Sequence, residues 1–98
     1  MDENIELREL AADIEWALCA KFRPTFLIIE LHDEEDLEIL VSCIAFETMS
    51  VQQRISSIFS LLFKSLGDKM EGVSIRIKAL NREELDTWFG TCFDEELY

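Results

Sequence analysis

Residues 37–80 read LEILVSCIAFETMSVQQRISSIFSLLFKSLGDKMEGVSIRIKAL, and this stretch decides the fold. Leu37, Ile39, Val41, Cys43 and Ala45 alternate with Glu38, Leu40, Ser42, Ile44 and Phe46, which predicts a strand ending at Phe46. Ser50 followed by Gln53 has the spacing of a capping box, so a helix is expected from about Val51. Ile55, Ile58, Phe59, Leu62, Phe63 and Leu66 form its apolar stripe, and Gly67 supplies a C-terminal stop. Val73, Ile75, Ile77 and Ala79 then alternate with Ser74, Arg76 and Lys78, giving a half-buried strand with a basic outer face.

Upstream, Leu7, Leu10, Ile14, Ala17 and Leu18 recur at helical spacing among acids. Acids in the first turns and Lys21 at the end suit the helix dipole, and Pro24 disfavours helical geometry at Arg23. Trp16, near the stripe edge, reads as an anchoring core residue. Thr25 to Leu31 is β-branched and aromatic, and the charged run His32 to Asp36 joins it to the next strand as a hairpin. Downstream, Asn81 and Glu84 resemble another cap, opening a short helix that ends at Gly90. The expected organisation is one domain over residues 1–90 and a loose acidic tail over 91–98.

The order α-β-β-α-β-α is that of a two-layer α+β sandwich, a three-stranded mixed sheet with helices packed on one face. One difficulty stands out. If Leu37, Ile39 and Val41 face the helices, Leu40, Ile44 and Phe46 face outward. The open side then calls for cover by a partner, by a second copy in a homodimer, or by the terminal segments.

The 98 residues carry a net charge of −12, which opposes binding to nucleic acid and to anionic membranes. Five bases (Arg54, Lys64, Lys69, Arg76, Lys78) concentrate between residues 50 and 80, a weakly basic island in an acidic shell. No stretch is long and apolar enough to span a bilayer, and the acidic N-terminus lacks the features of a signal peptide, so a soluble cytoplasmic protein is expected. Three cysteines without paired spacing argue against a disulfide framework. No nucleophile–base spacing points to an enzyme. His32 and Cys43 are the weak metal-ligand candidates, although Cys43 on a strand reads first as a packing residue.

The block Val41-Ser42, Phe46 through Arg54, Ile77-Lys78-Ala79-Leu80 and Glu83-Glu84 resembles the BolA-like family, whose fold is similar to class II KH domains. The family's middle reads as a strand, Phe-(Asp/Glu)-Gly-x-Ser, a helix opening on a basic pair, a strand ending in (Ile/Leu)-Lys and a short acidic helix. The resemblance implies a non-enzymatic interaction module that docks a protein, with a monothiol glutaredoxin as partner and a shared iron–sulfur cluster as the candidate cofactor. On this reading Ser50, Gln53, Arg54 and Lys78 meet the partner. Arg54, lying off the apolar stripe, is expected to do so with little share in stability. Thr48 replaces the family's glycine, Ile55 the histidine of its basic pair, Val73 a histidine implicated in cluster ligation, and Asp36 stands at a hairpin position often held by histidine. These departures weaken cluster ligation more than docking. KH-type recognition of nucleic acid needs a Gly-x-x-Gly loop, which is absent. The alternative is a small acidic inhibitor, immunity protein or secretion chaperone that masks a basic partner.

Overall fold

The computed structural model describes the backbone of residues 2–33 and 35–97, and the side chains of residues 7–32 and 35–90. Helix α1 spans Asp2–Phe22 and buries the expected stripe of Leu7, Leu10, Ile14, Ala17 and Leu18. It stops where proline requires it to: Arg23, next to Pro24, takes a positive φ of 49°, and its amide closes the last turn onto the Cys19 carbonyl. Trp16 is 75% exposed, so its assignment to the core is corrected. It stands beside the buried stripe rather than on it.

Strand β1, Phe26–Asp33, pairs antiparallel with β2, Asp36–Ser42, in a hairpin tighter than expected. His32 and Asp36 therefore belong to the strands and not to a loop. Leu37, Ile39 and Val41 are completely buried beneath the helices. Beyond Ser42 the strand expectation fails. β2 ends there, and Ile44–Thr48 curls into a 3₁₀ turn, with the Phe46 amide bonded to the Cys43 carbonyl and the Met49 amide to the Phe46 carbonyl. The reason lies in the neighbouring strands: Ser42 is the last β2 residue with a partner on either side, Phe26 in β1 and Leu80 in β3. An unpaired extension would leave buried backbone groups unsatisfied. The curl turns Phe46 inward, where it is fully buried against Phe22 with ring centroids 5.7 Å apart, while Ile44 remains 80% exposed.

Helix α2, Val51–Leu66, opens on the expected capping box. The Gln53 amide donates to Ser50 Oγ at 3.2 Å, and the Ser50 amide donates to Gln53 Oε1 at 2.8 Å. Ile58 and Leu62 are its fully buried apolar residues, and Phe63, expected in the stripe, is exposed and stacks on Phe59 instead. Gly67 ends the helix at a φ of 43°, a conformation that costs glycine little. The chain then returns as β3, Ser74–Leu80, parallel to β2 with Ile39 opposite Ile77. The sheet order is β1-β2-β3, which gives the mixed three-stranded sheet and the α-β-β-α-β-α order expected from the sequence.

α1 and α2 cover one face. Helix α3, Arg82–Leu97, continues past Gly90, where the sequence pattern placed its end. Its aromatic residues settle the difficulty of the second face. Phe26, opposite Ser42, lies on the open side of the sheet, and its ring meets Phe89 at 5.0 Å and Trp88 at 6.0 Å. Leu40, on the same side, is buried. The protein's own third helix covers the apolar corner.

The curl at residues 44–48 makes a sharp prediction, because in a continued strand Ile44 and Phe46 would share a face and respond alike. Phe46→Ala is expected to cost about 3 kcal/mol or more, and Ile44→Ser about 0.5 kcal/mol or less, both read from urea unfolding midpoints.

Candidate functional site: a buried arginine and a charged sheet face

Arg54 sits in the first turn of α2 and is only 5% exposed. Its Nε donates to the Met49 carbonyl at 3.0 Å, and its Nη1 donates to the Ala79 carbonyl at 3.1 Å and to Glu84 Oε1 at 2.6 Å. One guanidinium thus joins the entry to α2, the end of β3 and the start of α3. Glu84 is held from its own side as well. The Asn81 amide donates to Glu84 Oε1 at 2.9 Å, and the Glu84 amide donates to Asn81 Oδ1 at 2.8 Å, the reciprocal cap that Asn81 and Glu84 suggested. Glu47 adds a third tie by accepting the Arg82 amide at 2.7 Å. Two carboxylates therefore serve the amide-rich start of α3, where the helix dipole favours them. The Asn81 amide, with the Arg54 hydrogen bond second, holds the Glu84 carboxyl below its ordinary range.

The four residues expected to meet a partner stand differently in the structure. Arg54 lies off the apolar stripe, yet its guanidinium is buried on the Met49 and Ala79 carbonyls and Glu84. Ser50 and Gln53 are exposed, but their side chains bond each other's backbone. Lys78 is the member of the set that presents its charge outward, on the open face of β3. The basic island is also dispersed. Lys69 pairs with Asp13 at 3.1 Å, Arg76 with Asp36 at 3.0 Å and Lys78 with Glu38 at 3.6 Å, while Arg54 points inward. Four of the five bases are thus each engaged with a carboxylate.

The open face carries its charge at the hairpin end. Cross-strand partners share a face, so Glu30 and Glu38, directly opposite each other, stand beside Arg76 on β3, while Lys78 lies opposite Leu40. His32 Nε2 lies 2.9 Å from Glu38 Oε1 and 3.9 Å from Glu30 Oε2. That hydrogen bond from His32 is the main cause lowering the Glu38 carboxyl, with Lys78 and Arg76 assisting. The sequence reading missed the part played by Glu30 and Glu38. The Glu30-x-His32 alternation was a signal, but Glu38 joins it only through the hairpin register.

His32 and Cys43 cannot hold one ion together. They lie at opposite ends of the hairpin, roughly 20 Å apart at about 3.3 Å per strand residue. Cys43 is 2% exposed, and burial pushes its thiol up, which suits a packing role. Where the resemblance places cluster ligands, Asp36 is paired with Arg76 and Val73 packs against the core. Neither supplies the thiolate or imidazole that iron–sulfur ligation uses, so the residues present do not fit a shared cluster. A separate groove runs between β1, the 3₁₀ turn and α3, lined by Phe26, Cys43, Ile44, Leu85 and Phe89.

With this architecture in place, the comparisons with known proteins define a class. No family model matches the sequence, and no curated protein matches it. Solved structures do match, and the class they define is the small α+β fold of the BolA proteins. BolA1 from Arabidopsis thaliana is similar at a TM-score of 0.63 and 22% identity, over 76% of this chain and 94% of its own. The BolA domain of SufE1 from the same plant gives 0.62 and 22%, over 72% and 89%. A bol-like protein from Babesia bovis gives 0.64 and 16%, over 78% and 88%. No helix among the described residues is long and apolar enough to cross a membrane.

Arg54→Glu sets a carboxylate against two carbonyls and Glu84, so it is expected to destabilise the fold by about 3 kcal/mol or more, measured by urea unfolding. Because the folded-state Glu84 carboxyl lies below its unfolded value, its stabilisation is present above about pH 4.5 and is lost as pH falls through the folded value. Glu84→Gln is expected to flatten the acid limb of a stability–pH curve measured between pH 2 and 7. An unchanged limb would count against the Asn81–Glu84–Arg54 arrangement.

Proposed function

We propose that the chain is a BolA-family interaction protein that works by docking another protein, and that it performs no catalysis. The observation that carries this reading is the likeness to three BolA chains over 88–94% of their lengths. The chemistry of the described residues supports it. His32 is engaged with carboxylates and Cys43 is a buried thiol raised by desolvation, so neither forms a nucleophile–base pair. The partner class is a monothiol glutaredoxin, in keeping with the resemblance of the segment from Phe46 to Arg54. One of the similar structures is a BolA domain within SufE1, so this fold occurs there as a module of another protein. The docking surface we favour is the groove beside the 3₁₀ turn. There Ile44 stands 80% exposed over an apolar lining, and Arg82 and Asp86 supply polar groups at its edge.

The degenerate ligand positions give the complex a specific character: the partner's iron–sulfur chemistry receives no ligand from this chain. Co-expression with a monothiol glutaredoxin tests both parts. The two proteins are expected to co-elute in size-exclusion chromatography, and Ile44→Glu is expected to weaken that association at least about tenfold, the loss of roughly 1.4 kcal/mol at an interface centre. The visible absorption of any cluster in the complex should be the same with wild type and with His32→Ala. Failure of glutaredoxin to co-elute overturns the partner assignment, and a spectrum altered by His32→Ala overturns the absence of ligation.

A further inference from the structure

The hairpin end of the open sheet face gathers ligands that the docking reading does not use. Glu30 on β1 stands directly across from Glu38 on β2, and His32, at the register shift between Leu31 and Asp33, brings its ring nitrogen beside both carboxylates. A carboxylate oxygen from each glutamate and a ring nitrogen of His32 lie within 4.8 Å of one another. We propose that Glu30, His32 and Glu38 bind a single borderline divalent cation of the Zn²⁺ type.

The distances favour it. Nitrogen and oxygen ligands sit about 2.0–2.2 Å from Zn²⁺, so two ligands of one ion are at most about 4.2 Å apart. The separations of 2.9 Å and 3.9 Å from His32 Nε2 to the two carboxylates already fall within that limit. The third pair, between the Glu30 and Glu38 carboxylates, lies within 4.8 Å. The site is framed by strand backbone, which fixes the spacing of its ligands better than a loop does.

Charge points the same way. Glu30 makes no ion pair with a lysine or arginine among the described residues, and Arg76 is engaged with Asp36. Lys78 approaches Glu38 through Oε2 at 3.6 Å, leaving Oε1 turned towards His32. One strand step away, about 7 Å along β2, Asp36 Oδ1 is buried with no hydrogen-bond partner among the described residues. That oxygen is an unused acceptor on the same face of β2 as Glu38. Two carboxylates with one imidazole suit a borderline ion with an open position for water. They do not suit a thiolate-bound cluster or an all-oxygen calcium site.

Because His32 is the sole histidine, its imidazole resonances report on the site alone. The test titrates Zn²⁺ into the full chain by calorimetry and proton NMR, in a Cys19→Ser, Cys92→Ser background that removes two thiols as competing ligands. One equivalent should bind and shift the His32 resonances. His32→Ala and Glu38→Gln should each weaken affinity at least about tenfold, since losing even an outer partner of a metal costs 10–100-fold. Lys78→Met, which removes a competing cation without touching a ligand, should tighten binding. A wild-type chain that binds no Zn²⁺ overturns the proposal. So do affinities unchanged in His32→Ala and Glu38→Gln, or diffuse binding at many equivalents that Mg²⁺ displaces.

Discussion

The fold turns on one cation held away from water. The Arg54 guanidinium meets three acceptors from three separate parts of the chain: the Met49 carbonyl, the Ala79 carbonyl and Glu84. Desolvating a guanidinium is costly, and only well-placed acceptors offset that cost. The acceptors are in place because the secondary structure puts them there. Ser50 and Gln53 fix the start of α2, and the β2–β3 register brings the end of β3 alongside. The Asn81–Glu84 cap then delivers a carboxylate at the start of α3. Each piece is a local motif, and Arg54 makes them a single structure.

The same junction explains the division of the open sheet face. With α3 anchored at its first turn, Trp88 and Phe89 lie over Phe26 and close the apolar corner. The charged corner, with Glu30, His32, Glu38 and the β3 bases, is left to solvent. A three-stranded sheet with apolar residues on both faces is thereby covered within one chain. The principal apolar residue left standing out near this junction is Ile44, which sits at the rim of the groove between the 3₁₀ turn and α3. Structural cover and a surface for contact thus come from one helix placement.

Much of this was legible in the residues. The stripe of α1, the capping box of α2, the stop at Gly67 and the parallel return of β3 all follow from local chemistry, which propensity and periodicity report directly. The failures were not local. Cys43 to Phe46 alternates like a strand, yet a strand needs neighbours, and Ser42 is the last residue that has them. Arg54 looked like a surface base because periodicity grades a residue by its own helix. The acceptors that bury it belong to residues up to 30 positions away.

The sequence by itself determined the principal helices and strands and the order in which they follow one another. Hydrogen bonds and apolar spacing within a few residues settle those matters. Only the tertiary structure decided which polar side chains are free and which are consumed. It also decided which apolar residues are covered and which carboxylates face His32. Those outcomes depend on strand register and on the seat of α3, and both are settled by contacts between residues far apart in the chain.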